Sequence, residues 1–223
     1  MLILAIDTTG PSGSIALLRD GHALELVPLA GRAYSAQLMP QISALLIRHK
    51  LDKTTIDAFA AASGPGSFTG LRVGLSTVKA LSEILRKPIA AVSLLEAIAW
   101  ASRGRGPVIS ALDAMRGEVY VGEYVVKEDA LPSPAREALM PLTEFVAETQ
   151  LGPVVPVLTP DETVGAALRA RNVAVEVVSR PQADVIGRLG ALQIAAGHGT
   201  TPETLDANYI RRSDAEIFSK RGS

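Results

Sequence analysis

Cysteine is absent from the 223 residues, which removes disulfides, thiolate metal sites and cysteine nucleophiles from consideration. Aromatic residues make up only 4%, so the stacking platforms that grip single-stranded nucleic acid are scarce. Charge has no bias either: 22 Lys and Arg stand against 23 Asp and Glu, a formal net charge of -1. A chain that neutralises phosphates by itself carries a basic excess, so any role with RNA is expected to be indirect. The 3 histidines, His22, His49 and His198, form neither H-x-x-x-H nor H-E-x-x-H, which argues against zinc hydrolysis. No G-x-S-x-G elbow is present, and no apolar run approaches the ~18 residues of a membrane span. The opening Met1–Asp7 has no basic n-region and carries an acid at position 7, so the expected compartment is the cytoplasm.

What is present is core material. Hydrophobic residues are 48% of the chain and mean hydropathy is +0.25, so a folded α/β protein is expected. The length suits one domain or two small lobes.

Three short apolar runs, Leu2 to Ile6, Ser14 to Leu18 and Ala23 to Val27, are separated by turn residues that include Asp20-Gly21, and they predict a three-stranded meander. Apolar positions at helical spacing predict a helix from Tyr34 to His49. Ile56 to Ala62 reads as a strand, and Gly64-Pro65-Gly66 breaks the chain before a helix from Ser67 to Leu85. Ile89 to Val92 and Leu94 to Ala101 complete a first half. Arg103-Gly104-Arg105-Gly106-Pro107 reads as a lobe boundary, giving an N-terminal lobe of 1–104 and a smaller C-terminal lobe and tail of 105–223. Beyond it come strands at Val108 to Leu112 and Glu118 to Val126, then a polar, proline-containing segment from Lys127 to Arg136. Strands at Val154 to Leu158 and Val173 to Val178 flank a helix starting near Asp161. Val185 to Ala196 reads as the last helix, and the chain from Pro202 onward as too polar for a core. The order β-β-β-α-β-α-β-α is that of the two-lobe actin, Hsp70 and sugar-kinase (ASKHA) fold, in which each lobe is a mixed sheet with flanking helices.

Two constellations invite chemistry. Asp7-Thr8-Thr9 lies in the turn where such a lobe meets nucleotide phosphates; a carboxylate there holds a metal through water, or else it satisfies its own turn. The segment from Ser63 to Gly74 lacks G-x-x-x-x-G-K-[ST], so it is no Walker loop. Its glycines instead fall at Gly66, Gly70 and Gly74, with Val78 continuing the row on one helix face. An interior glycine costs about 1 kcal/mol against alanine, so the row predicts a seam for close approach, either to a partner or within the same lobe. Asp113, Arg116 and Glu118 occupy a turn between strands, where they face a substrate or pair with one another. Asn208 to Arg212 reads as an anchor for the tail or a contact for a partner.

Taken in order, L-A-I-D-T-T at 4–9, S-G-P-G-S-F-T-G-L-R-V-G at 63–74, D-A-M-R-G-E-V-Y at 113–120 and N-Y-I-R at 208–211 resemble the TsaB family, also called YeaZ. The resemblance implies the ASKHA fold and a non-catalytic scaffold subunit of the complex that synthesises threonylcarbamoyladenosine beside the tRNA anticodon. It implies a TsaD-like catalytic paralogue as partner, a TsaE-like ATPase joining them, tRNA met only through the complex, and a homodimer when the partner is absent. No catalytic residue, metal or firm cofactor is implied, only weak ATP or ADP binding at Asp7, Thr8 and Thr9. The partner surface carried over lies on the first two long helices: Tyr34, Leu38, Ile42 and Leu45 on one, and Gly66, Ser67, Phe68, Gly70, Leu71, Gly74 and Val78 at the other. Tyr34 departs from the family's usual histidine. The alternative from another class is a small ASKHA-type phosphotransferase, which needs a second phosphate loop and a base across the cleft. A metallopeptidase lacks its histidine pair here.

Overall fold

The computed structural model describes residues 1–31, 33–102, 106–128, 130–152, 154–208 and 210. The first half runs β1 (Leu2–Asp7), β2 (Gly13–Arg19), β3 (His22–Leu29), α1 (Tyr34–Arg48), β4 (Ala58–Gly64), α2 (Phe68–Leu85), β5 (Ile89–Ser93) and α3 (Leu94–Ala99). The second runs β6 (Gly106–Asp113), β7 (Glu118–Val126), β8 (Ser133–Pro141), α4 (Leu142–Leu151), β9 (Val157–Thr159), α5 (Glu162–Arg169), β10 (Val175–Val177) and α6 (Ala183–Ala195). The sheets have orders β3-β2-β1-β4-β5 and β10-β9-β6-β7-β8. Followed from β8, the second repeats the first, down to an antiparallel meander followed by two parallel additions. Each lobe is therefore a mixed sheet with flanking helices in the ASKHA order. The boundary expected at 104–105 falls in residues 103–105, outside the described residues.

The repeat corrects the expectation for the second half. The polar segment expected from Lys127 to Arg136 runs into β8, an edge strand whose mostly exposed or half-buried residues carry no period-two apolar signal. Prolines at 134 and 141 fit an edge, where an absent N–H is tolerated. Helix α4 leaves no clear sequence signal because only Phe145 and Val146 of its 10 residues are buried.

Strand alternation builds two layers from one sequence. On β1, Leu2, Leu4 and Ile6 enter the core under α1 and α2, while Ile3 and Ala5 enter the core under α6. β4 divides the same way, Phe59 and Ala61 on one side and Ala58, Ala60 and Ala62 on the other. Alanine dominates the α6 side because the helix lies close: a Cβ on Gly190 would stand 2.6 Å from that of Ala60. Gly187 is pressed as tightly against Leu18.

The third helix of each half crosses to the other half. Leu94, Leu95 and Ile98 of α3 share a core with Val108 and Leu112 of β6 and Tyr120 and Tyr124 of β7. Ala183, Ile186 and Leu189 of α6 share one with Ala5, Ala16 and Ala60. Beyond α6 the chain returns as a strap. Thr200 exchanges both backbone hydrogen bonds with Ile89, at 2.7 and 3.0 Å, and Leu205, 2% exposed, enters the first lobe's core. The Asn208 amide donates to Ser63 O at 2.7 Å, and Ile210 packs on the α3 cluster. The expectation that the chain from Pro202 onward is too polar for a core is thereby corrected, since Leu205 and Ile210 suffice to seat it. Tyr209, Arg211 and Arg212 of the expected anchor lie outside the described residues.

Candidate functional site

The Asp7 turn and the glycine row meet each other. Ser67 caps α2, its Oγ accepting from the Gly70 amide at 3.3 Å, and its own amide donates to Thr9 O at 2.9 Å. Thr8 Oγ1 donates to Gly70 O at 2.7 Å. A Cβ on Gly66 would lie 2.6 Å from Thr9 O, and Cβ atoms on Gly70 and Gly74 would intrude on Thr8. The seam is real, and its occupant is this chain's own β1–β2 turn.

That finding corrects the residues expected at a partner surface. Tyr34, Leu38, Ile42, Leu45, Gly70, Leu71, Gly74 and Val78 are all buried within the lobe. The apolar stripe of an amphipathic helix faces its own sheet first. Tyr34 braces the β1–β2 turn: its hydroxyl donates to Gly10 O at 2.8 Å, and its ring fills the space a side chain on Gly13 would need. Ser67 and Phe68 remain on the surface. The outer faces of α1 and α2 border a groove of about 480 Å³ lined by Ser35, Phe68, Thr69, Arg72, Val73, Ser76 and Thr77. Phe68 is 42% exposed, Met39 on α1 is 52% exposed, and the Arg72 guanidinium sits 3.9 Å over the Phe68 ring.

Asp7, expected to serve a metal or nucleotide, is 3% exposed and turns inward. Its Oδ1 accepts from the Thr9 amide at 2.8 Å and the Thr9 hydroxyl at 2.7 Å. Burial holds its carboxyl above the usual range, opposed by the two Thr9 hydrogen bonds and by the Arg180 guanidinium. Arg180, on the segment between β10 and α6, donates to Thr9 Oγ1 at 3.4 Å. Its Nε is buried without a partner, 3.0 Å from where a Cβ on Gly10 would stand. Sequence reading misses Arg180, since nothing local ties position 180 to position 7.

In the second lobe the equivalent turn is tight and locally satisfied. Asp113 Oδ1 accepts from the Met115 amide at 2.8 Å, and the Asp113 amide donates to Asp161 Oδ2 at 2.7 Å. Met115 and Arg116 both adopt positive φ, 62° and 58°, which leaves Met115 and Arg116 outermost.

Residues 27–163, more than half of the chain, match the family described as TsaD: tRNA N6-adenosine threonylcarbamoyltransferase. The TsaB protein of Escherichia coli, described as a tRNA threonylcarbamoyladenosine biosynthesis protein, is 36% identical over 59% of this chain and 58% of its own length. An uncharacterised Mycobacterium tuberculosis protein is 30% identical over 96% of this chain and 93% of its own. The solved structure of YeaZ from Pseudomonas aeruginosa superimposes with a TM-score of 0.76 at 27% identity, covering 93% of this chain and 99% of that one. The chain belongs to the TsaB/YeaZ family. Its match to the Escherichia coli TsaB spans little more than half of that protein. A hexokinase from Thermus thermophilus, at TM-score 0.51 and 12% identity over 87% of this chain and 100% of that one, shares the ASKHA fold alone. Another Pseudomonas aeruginosa structure in the YeaZ group is described as similar to a peptidase. Among the described residues, no group of three or more His, Cys, Asp or Glu is placed to hold a metal, and no helix is long and apolar enough to cross a membrane.

Proposed function

We propose that this TsaB-family chain is a non-catalytic accessory subunit in the synthesis of threonylcarbamoyladenosine on tRNA, docking a TsaD-type catalytic paralogue on the outer faces of α1 and α2. The observation that carries this reading is the outward face of those helices, where Phe68 and Arg72 line the groove and Met39 stands exposed on α1. An exposed aromatic under an arginine is the composition of an interface anchor. On this reading a TsaE-type ATPase joins the pair, tRNA is met through the complex, and the same face pairs two copies when the paralogue is absent. The phosphotransferase alternative loses ground at the Asp7 turn, where Thr9 and Arg180 take the carboxylate.

Reconstitution tests it: the catalytic paralogue, the ATPase, tRNA, ATP and threonylcarbamoyl-adenylate supplied as the activated donor, with and without this chain. Modified adenosine is expected only with the chain present. Equal product without it, or phosphoryl transfer by the chain alone, overturns the proposal.

A further inference from the structure

The two lobes meet over a half-buried polar cluster that the α1–α2 face does not use. Glu137, on β8, accepts hydrogen bonds from three sides: Ser93 Oγ at the start of α3 at 2.6 Å, Asn208 Nδ2 on the strap at 2.6 Å, and the Tyr124 hydroxyl on β7. Asn208 in turn is held to the end of β4 through Ser63. One carboxylate therefore ties the first lobe, the second lobe and the strap together. Glu96 of α3, 9% exposed, lies within electrostatic reach of this hub, and Gln193 Nε2 of α6 donates to its Oε2 at 3.3 Å. Among the described residues, the ionisable groups that act on Glu96 are Glu137 from β8 and Tyr124 from β7. No cation among the described residues pairs with either carboxylate.

A buried carboxylate beside a second carboxylate resists ionising. We propose that Glu96 and Glu137 form a proton-operated latch between the lobes: a proton on Glu96 closes the hub and seats the strap, and loss of that proton loosens the junction and frees Asn208. Burial, reinforced by the Glu137 charge, pushes Glu96 up to about 7, against hydrogen bonds from Ser93 and Gln193. Tyr124 is driven well above the ordinary tyrosine range by burial and then by Glu137, so it remains a donor to the hub. The folded chain holds a proton on Glu96 that the unfolded chain, at 4.5, has released. The closing contribution is thus complete below pH 4.5 and is lost as pH rises through about 7. The latch does not depend on the identity of the partner.

Hydrogen exchange on the full chain, corrected for the intrinsic pH dependence, tests it. Protection of the Asn208 amide should fall about tenfold between pH 6 and 8, while the Ala5 amide in the central strand β1 stays level. In Glu96→Gln, whose amide mimics the protonated acid, the Asn208 fall should shrink to less than about twofold. Carbon-13 titration of wild-type glutamate carboxyls is the second measurement and requires no variant; one should titrate near 7. Flat wild-type protection, a Glu96→Gln slope equal to wild type, or every glutamate titrating below about pH 5.5 overturns the latch.

Discussion

The backbone oxygen of Thr8 occupies the space that a side chain on Gly70 would need, and the Thr8 hydroxyl closes the contact by donating to Gly70 O at 2.7 Å. The glycine row of α2 is therefore an internal socket for the β1–β2 turn. Each glycine costs helix propensity, about 1 kcal/mol, and recovers it by letting two backbones hydrogen-bond at close range.

Gly70→Ala should consequently destabilise the isolated chain by about 2–4 kcal/mol, because a methyl group is forced against backbone that cannot rotate away. Gly74→Arg should go further and prevent cooperative folding, with a buried charge added to the clash. Urea denaturation and circular dichroism read both. A Gly74→Arg chain with wild-type stability that has lost only its partner would restore the seam to an intermolecular role.

Phe68 behaves in the opposite way. It is 42% exposed, so Phe68→Ala should shift the melting temperature by no more than about 2 °C. Affinity for the paralogue, measured by calorimetry, should fall at least tenfold, the loss of an anchor worth about 1.4 kcal/mol or more. Unchanged affinity would remove the α1–α2 groove from the interface.

Arg180 and Asp7 supply a pH-dependent test. The Asp7 pKa is raised by burial and lowered by Arg180, so the folded chain retains a proton there above the ordinary Asp value and stability from this group declines as pH rises through its raised pKa. Arg180→Met removes the lowering influence and moves that pKa higher still. The variant should lose about 2 kcal/mol at pH 8 and clearly less at pH 5, in paired urea titrations. An equal loss at both pH values would show that the guanidinium acts only by packing.

The exchange of α3 and α6 makes each lobe incomplete alone. A fragment of residues 1–102 would expose Leu94, Leu95 and Ile98, all fully buried in the whole chain, and would uncover the alanine face on which α6 rests. It should show no cooperative thermal transition, and mixing it with 106–223 should restore one. A sharp transition from the first fragment alone would show that the lobes fold independently.

The sequence alone determined the first lobe almost element by element, because strong period-two and period-3.6 signals sit between Gly, Pro and Asp turns. It placed α2 correctly and identified its glycines as a seam. Helical spacing defines a face without saying what lies against it, so only the Thr8 contact decides what occupies the seam. Strand β8 and helix α4 are illegible for a related reason: their burial comes from β7 and the β6 core, and leaves no period of its own. Arg180 beside Asp7, and Glu96 beside Glu137, join positions 173 and 41 residues apart. Only the crossing of α3 and α6 between the lobes brings such positions together, because packing of two sheets through exchanged helices is set by the tertiary fold.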